Sequence, residues 1–485
     1  MNQVIKSVEV EPTGIVFHPD NRRVLVRPFI SSDETRIRHI IERALSLSEM
    51  EVDTQLAILR ADFNNRHPDL EACWRRHFAI VRGYLDDQTL SFNRHLYIGA
   101  LFSGEYALES AALFNPSIVA HPDQSGVEPG ALRFVISLRA TGEGHISSIE
   151  FRSGILNADG SIQTDEVSSM VVAPEVVENP TYRKVNFALK LKEMGFKNDW
   201  SRRVMASLGD HFTREDLEKT IQETVSSSRA QERTLECVRW LALSNYEVHF
   251  HPSVSLSQRV IFPVSPNESN GIEDARFVRF CEDDGSVCYY ATYTAYNGRA
   301  ILPQLIETPD FQNFRVLTLN GQAVQNKGMA LFPRRIAGRF AMISRQDDEN
   351  LYLMFSDNLH FWNDPELLHT PRQPWEFVKI GNCGSPIETP EGWLVITHGV
   401  GPMRRYCIGA LLLDLEDPSK VLGSLPEPLL KPKDEEREGY VPNVVYSCGA
   451  MLHQDRLVLP YALSDTSSTI GMVNLAVLLA ALKAS

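Results

Sequence analysis

Cys288-Tyr-Tyr-Ala-Thr-Tyr-Thr-Ala-Tyr296 is rich in aromatic and β-branched residues, and it reads as a β-strand with polar and aromatic side chains at its end. The same pattern returns at Arg133-Phe-Val-Ile-Ser-Leu-Arg139, Arg339-Phe-Ala-Met-Ile-Ser-Arg345, Gly392-Trp-Leu-Val-Ile-Thr-His398 and Arg456-Leu-Val-Leu-Pro-Tyr-Ala462. Aligned on Phe134, Tyr290, Phe340, Trp393 and Leu457, the units are separated by 156, 50, 53 and 64 residues. The last three gaps match a four-stranded blade. The reading is a mainly β chain folded as a five-bladed β-propeller; a pair of β-sandwiches is the alternative. A ring of blades would converge Arg139, Tyr293 to Tyr296, Arg345, His398 and Asp465 on one polar pocket.

Two stretches break the strand pattern. Ser32 to Leu85 carries apolar residues at helical spacing (Ile37, Ile40, Ile41, Ala44 and Leu45), and Ser32-Asp33-Glu34 opens it as a helix start. Pro180 to Tyr246 holds Arg214-Glu-Asp-Leu-Glu-Lys-Thr-Ile-Gln-Glu-Thr-Val225, with Thr213 as N-cap. Asp216 is short for the reciprocal bond of a capping box, which favours Glu or Gln. The expected organisation is an N-terminal strand and helical segment over 1–90 and a propeller over 91–485, with a helical insertion at about 180–246.

The chain has 485 residues, enough for two to four ordinary domains or one large β-architecture. A net charge of −14 argues against a nucleic-acid or anionic-membrane partner, which would require a basic footprint. Met1-Asn-Gln-Val-Ile-Lys6 has no apolar core for a signal peptide, and Val473 to Leu482 is too short to span a bilayer, so that run is expected as a buried terminal helix or strand. Seven cysteines without CxxC spacing fit reduced thiols in the cytoplasm rather than zinc ligation.

Gly271-Ile-Glu-Asp-Ala-Arg-Phe277 places two carboxylates and an arginine just before a strand. A carboxylic acid in a dry site can act as a proton donor, although the arginine opposes the required rise in pKa. In isolation the pair also describes a solvated turn. Asp283-Asp284, Asp347-Asp348-Glu349 and Asp357 read as solvated loop or turn residues.

Together with Tyr289-Tyr-Ala-Thr-Tyr-Thr-Ala-Tyr-Asn297, this segment resembles the signature of glycoside hydrolase family 130, the β-mannoside phosphorylases and related β-mannosidases. The resemblance runs in order from about Phe114 to Leu482. It passes through Asn115-Pro-Ser-Ile-Val119, Lys327-Gly-Met-Ala-Leu-Phe-Pro333, Ser344-Arg345, Ser356-Asp-Asn-Leu-His-Phe-Trp362 and Lys379-Ile-Gly381. It continues through Ser385-Pro-Ile-Glu-Thr389, Gly392-Trp393, His398-Gly-Val400, Val441-Pro-Asn-Val-Val445 and Ser464-Asp-Thr466. It departs from the family at Lys327 (usually Arg in the phosphorylases), Ser344 (His), Asn358 (Asp) and Glu388 (often Lys).

The resemblance implies a five-bladed propeller that cleaves β-mannosides with inversion, without a metal or other cofactor. Asp274 would supply the proton through a sugar hydroxyl, and inorganic phosphate would attack C1 to give α-mannose 1-phosphate. Lys327, Arg345, Lys379 and His398 would bind the phosphate. Asn115, Ser117, Arg139 and Asp465 would hold sugar hydroxyls; Tyr296 and Tyr293 would stack on a pyranose or pack between blades. The substrate implied is a β-linked manno-oligosaccharide or mannosyl glycoside. A hydrolase using Glu388 as base is the second reading, and a non-catalytic carbohydrate binder or scaffold the third. The helical additions are candidates for a homo-oligomer interface or a cover over the active-site mouth.

Overall fold

The computed structural model describes residues 8–85, 89–177, 180–224, 229–298 and 301–484; the Met1 to Lys6 stretch and Val225 lie outside the described residues. The chain is mainly β, and among the described residues its larger sheets number five, all antiparallel. Sheet one runs Ala112–Ala120, Leu132–Thr141, Ser147–Leu156 and Val260–Ile261. Sheet two runs Ile272–Cys281, Val287–Tyr296, Ile301–Thr308, Asn313–Thr318, Tyr246–His249 and Glu175–Val176. Sheet three is Ala330–Leu331, Phe340–Ser344, Leu351–Ser356 and Pro365–His369; sheet four is Lys379–Asn382, Gly392–Val400, Tyr406–Leu413 and Val421–Ser424. Sheet five combines Val445–Tyr446, Arg456–Leu463 and Ser467–Asn474 with Glu11–Phe17 from the start of the chain.

Alternating side chains of one strand serve two cores. In Gly392–Val400, Trp393 and Val395 pack toward sheet three while Leu394 and Ile396 pack toward sheet five. In Phe340–Ser344, Phe340 and Met342 face sheet two, and Ala341 and Ile343 face sheet four. A strand buried on both faces needs a near-continuous apolar run, which explains why these segments lack polar alternation. Two further inter-sheet cores lie between sheets one and two and between sheets five and one, so these inter-sheet cores link sheet one to sheet five in order and sheet five back to sheet one.

Hydrogen bonds follow the same cycle. Phe277 N–H donates to Ser117 Oγ (3.1 Å), and the Thr292 hydroxyl to the Met329 carbonyl. Asn382 Nδ2 donates to the Gly328 carbonyl, Tyr406 N–H to Asn443 O (3.1 Å), and Cys448 N–H to Pro116 O (2.8 Å). One depression is lined by Ile118, Val278, Pro333, Ile387 and Met451, drawn from all five sheets or the segments that adjoin them.

Both stretches that break the strand pattern hold helices, in several pieces, and the first continues beyond residue 90. Glu34–Leu45 is capped by Asp33, Glu49–Phe63 opens with a Ser48–Glu51 capping box, and Leu70–Val81 and Phe92–Leu101 pack beside them. The insertion comprises Lys184–Glu193, Asp199–Ser207, Arg214–Glu223 and Arg229–Leu243 around its own core of Trp200, Val204, Phe212, Leu217 and Leu241. At Thr213 both capping-box bonds form, because Asp216 Oδ2 reaches the Thr213 N–H at 2.9 Å; the aspartate is long enough after all. The terminal apolar run divides between strand Ser467–Asn474 and helix Leu475–Lys483. No helix among the described residues is long and apolar enough to cross a membrane.

The N-terminal segment is tied to sheet one by a buried ionic cluster. Arg23 pairs with Glu109 (2.8 Å) and Glu150 (2.5 Å), and Arg152 pairs with Glu109 (2.7 Å) and Glu150 (3.2 Å). Arg23, Glu109 and Glu150 are fully buried. Removing one member of such a cluster leaves an uncompensated buried charge. Arg23→Met is therefore expected to cost about 3–5 kcal/mol in urea unfolding at neutral pH; a loss below about 1 kcal/mol would contradict this account.

Candidate active site

Strands Ala112–Ala120 and Ile272–Cys281 each carry one bulge, between Phe114 and Ser117 and between Glu273 and Arg276. At the bulges Asn115 (φ 50°) and Asp274 (φ 55°) adopt left-handed backbone. Asn and Asp tolerate this region better than other non-glycine residues, and such strain clusters at functional sites. The bulges turn the two side chains toward each other, and Asn115 Nδ2 donates to Asp274 Oδ1 at 2.7 Å. Asn115 Oδ1 is buried without a protein partner, an acceptor available to a ligand hydroxyl.

Arg139 organises both carboxylates of the Gly271–Phe277 segment. Its Nη1 donates to Asp274 Oδ1 (3.2 Å), its Nη2 to Glu273 Oε1 (2.9 Å) and its Nε to Ser147 Oγ (2.9 Å). Lys327 Nζ takes the other Glu273 oxygen at 2.6 Å. Arg276 donates to the Asp274 carbonyl (2.9 Å) and to the Tyr446 hydroxyl (2.7 Å). Burial acts to raise the pKa of Asp274, but the charges of Arg139, Arg276 and Lys327 and the Asn115 bond outweigh it and hold the carboxyl below its ordinary range. Asp465, also left-handed (φ 50°), goes the other way: burial and then the Asp274 charge push it up to about 7.

The second half of the site is cationic. Arg345 Nη2 lies 2.9 Å from Asp348 Oδ1, and Lys379 Nζ 3.0 Å from Asp348 Oδ2. Arg345 Nη1 sits 3.3 Å from His398 Nε2. A guanidinium can only donate, so Nε2 accepts and the imidazole proton resides on Nδ1, which faces the Asn382 carbonyl at 3.2 Å. Burial, followed by the Arg345 and Arg276 charges, pushes His398 well below its ordinary pKa, so the ring is neutral. Its edge is packed against Gly381, where a Cβ would fall 2.3 Å from His398 Cε1; only glycine fits there. The Tyr446 ring, 4.8 Å from that of His398, joins the two halves through Arg276. Five cations (Arg139, Arg276, Lys327, Arg345 and Lys379) thus share Glu273, Asp274 and Asp348.

The expected residues divide accordingly. Asp274, Asn115, Arg139 and Lys327 meet in one network, and Arg345, Lys379 and His398 in the adjoining one. Tyr296 exchanges backbone hydrogen bonds with Asn270 and Gly271, beside the carboxylate pair. Several expectations are corrected. Ser117 is fully buried, its hydroxyl taken by the Phe277 N–H, so it ties sheets one and two instead of holding sugar. His398 has both nitrogens engaged and positions Arg345 instead of donating to phosphate. Of the two readings of Tyr293, packing is the one seen: its ring is buried and its hydroxyl donates to Glu268. Glu388 forms a two-pronged pair with Arg334 in the depression lined by all five sheets, beside Val278 and Arg279, residues beyond the bulge that carries Asp274. Asp348 is exposed, as expected of a loop tip, but it also holds Arg345 and Lys379. Tyr446 was not anticipated, although it directly follows the Val441 to Val445 motif.

Known proteins match this chain over the same region. The profile of a family described as beta-1,4-mannooligosaccharide phosphorylase matches residues 245–484. A 1,2-beta-oligomannan phosphorylase of Thermoanaerobacter sp. (strain X514) is 35% identical over 221 residues, covering 44% of this chain and 73% of that protein. A beta-1,2-mannobiose phosphorylase of Listeria innocua serovar 6a is 28% identical over 302 residues, covering 61% and 79%. The solved Listeria innocua beta-1,2-mannobiose phosphorylase, in complex with beta-1,2-mannobiose, aligns at 22% identity with a TM-score of 0.47, covering 77% of this chain and 93% of that one. By its sequence, the chain belongs to glycoside hydrolase family 130.

Proposed function

We propose that this protein is an inverting phosphorylase of β-1,2-linked mannosides and that its five sheets are the blades of a five-bladed propeller. The cyclic order of cores and cross-sheet hydrogen bonds supports the ring. The names of the relatives above support the linkage. One observation carries the use of phosphate: Arg345 and Lys379 grip a single carboxylate next to the Asp274 network. Cations that share one carboxylate can share one phosphate oxygen.

Asp274 supplies the proton, passing it through a mannosyl hydroxyl to the leaving oxygen, while a phosphate oxygen attacks C1 from the opposite face. The C1–O bond to the leaving sugar breaks as the C1–O bond to phosphate forms, and the phosphate O–H then returns a proton to Asp274. At rest the carboxyl is held ionised by its cationic neighbours. A bound phosphate dianion offsets those charges and raises the proton affinity of Asp274. Phosphate is already nucleophilic and needs no general base. The hydrolytic alternative loses its proposed base, since Glu388 is engaged with Arg334. Asn115, Arg139, Asp465 and Tyr296 hold the mannosyl unit, and the cytoplasmic assignment rests on seven unpaired thiols.

Incubation with β-1,2-, β-1,3- and β-1,4-mannobiose, with and without inorganic phosphate, is expected to yield α-mannose 1-phosphate from the β-1,2 isomer only when phosphate is present. Free mannose formed regardless of phosphate would overturn the proposal. Asp274→Asn is expected to lower kcat by roughly 10²–10⁴-fold with unchanged circular dichroism; turnover near the wild-type rate would remove Asp274 from the role of acid. Asp465 titrates near 7 in the fold against an ordinary 3.8, so the native state holds a proton that the unfolded chain has released. Stability from this group therefore falls as pH rises from about 4 to about 7 and then levels. Urea unfolding should show Asp465→Asn gaining on the wild type between pH 5 and pH 8; a constant difference would contradict the shift.

A further inference from the structure

Asp348 lies in the turn between Phe340–Ser344 and Leu351–Ser356, within the polar site. Its carboxylate accepts from Arg345 Nη2 and Lys379 Nζ, and also from the Asn326 side chain. The side chain remains 53% exposed, unlike those of the cations it bridges, at 10% for Arg345 and 20% for Lys379. The turn does not need this carboxylate to hold its shape. Asp347 performs that task, accepting from the Glu349 and Asn350 N–H groups, the Asn350 side chain and the Tyr352 hydroxyl. The Glu349 carbonyl then ties the turn to Ile380. Asp348 itself sits in left-handed backbone (φ 62°). Arg345 is buried and its Nε has no partner, a donor directed at an acceptor that the protein does not supply.

We propose that Asp348 is a built-in competitor of inorganic phosphate: its carboxylate occupies Arg345 and Lys379 in the free protein and is displaced toward solvent when phosphate binds, so that it sets phosphate affinity. This rests on the phosphorylase reading above. A carboxylate offers two acceptor oxygens and one charge, whereas phosphate offers more of both and can also satisfy Arg345 Nε. The carboxylate keeps two partly buried cations paired when phosphate is absent. Its negative charge beside the incoming dianion weakens phosphate binding in turn.

The test is equilibrium binding of inorganic phosphate by calorimetry, which does not depend on turnover. Asp348→Asn keeps the shape and removes the charge, and Asp348→Gly suits the left-handed backbone. Both are expected to bind phosphate at least about tenfold more tightly than the wild type. KM for phosphate should fall in parallel while KM for the mannoside stays unchanged. If the wild type binds phosphate and either folded variant binds it equally or more weakly, Asp348 is a structural tether and this inference is overturned, with the phosphorylase reading intact. If neither wild type nor variants bind phosphate, the phosphorylase reading fails as well.

Discussion

Five hydrogen bonds between successive sheets tie together the strands that carry Asn115 and Asp274 and the loop that carries Lys327. Each uses a residue in or beside the first strand of a sheet: Ser117, Met329, Gly328, Asn443 and Pro116 are the acceptors. These strands cannot be regular ladders on both sides, because one edge pairs within the sheet and the other faces its neighbours. The bulges at Asn115 and Asp274 follow from that constraint. They place an amide and a carboxylate, 159 residues apart in sequence, within one hydrogen bond.

The electrostatics of the site follow from this enforced proximity. Five cations in one partly buried region would repel one another strongly in a medium of low polarisability. Glu273 and Asp348 hold them in two groups, Arg139 with Lys327 and Arg345 with Lys379. Asp274 lies against the first group and is kept ionised by it, while Asp465, raised by burial and by the Asp274 charge, retains a proton up to about 7. Two carboxyls in one site are thereby pushed apart in acidity, the arrangement that acid–base chemistry requires. Arg276 and Tyr446 bridge the two groups, through the Tyr446 hydroxyl and its ring beside His398.

The sequence repeat located the second strand of each sheet, not the first. Phe134, Tyr290, Phe340, Trp393 and Leu457 all lie on strands flanked on both sides by partners, where burial on two faces demands a legible apolar run. Four of the first strands are either two residues long, as Ala330–Leu331 and Val445–Tyr446 are, or bulged at Asn115 and Asp274, so no periodicity marks them. Arg345 and His398 were visible because they follow those apolar runs. The pairing of Asp348 and the displacement of Glu388 depend on loop paths that single-sequence patterning does not encode. The doubt over Arg276 beside Asp274 was legible, since it required only proximity in sequence.

The helical insertion also belongs to the site's architecture. Lys190, buried on helix Lys184–Glu193, donates to the Leu319 carbonyl at 3.1 Å, and Glu193 accepts from Gly321 N–H at 2.7 Å. Gly321 is in turn pressed against Trp362, where a Cβ would meet the Trp362 carbonyl. From this anchored start the segment runs to Asn326 and Gly328, both left-handed, and is pinned again by Thr292 on the Met329 carbonyl and by Asn382 on the Gly328 carbonyl. Lys327 stands between these pins. Its ammonium reaches across to Glu273 Oε2 at 2.6 Å. The insertion therefore holds one end of the loop that delivers a cation to the carboxylate pair.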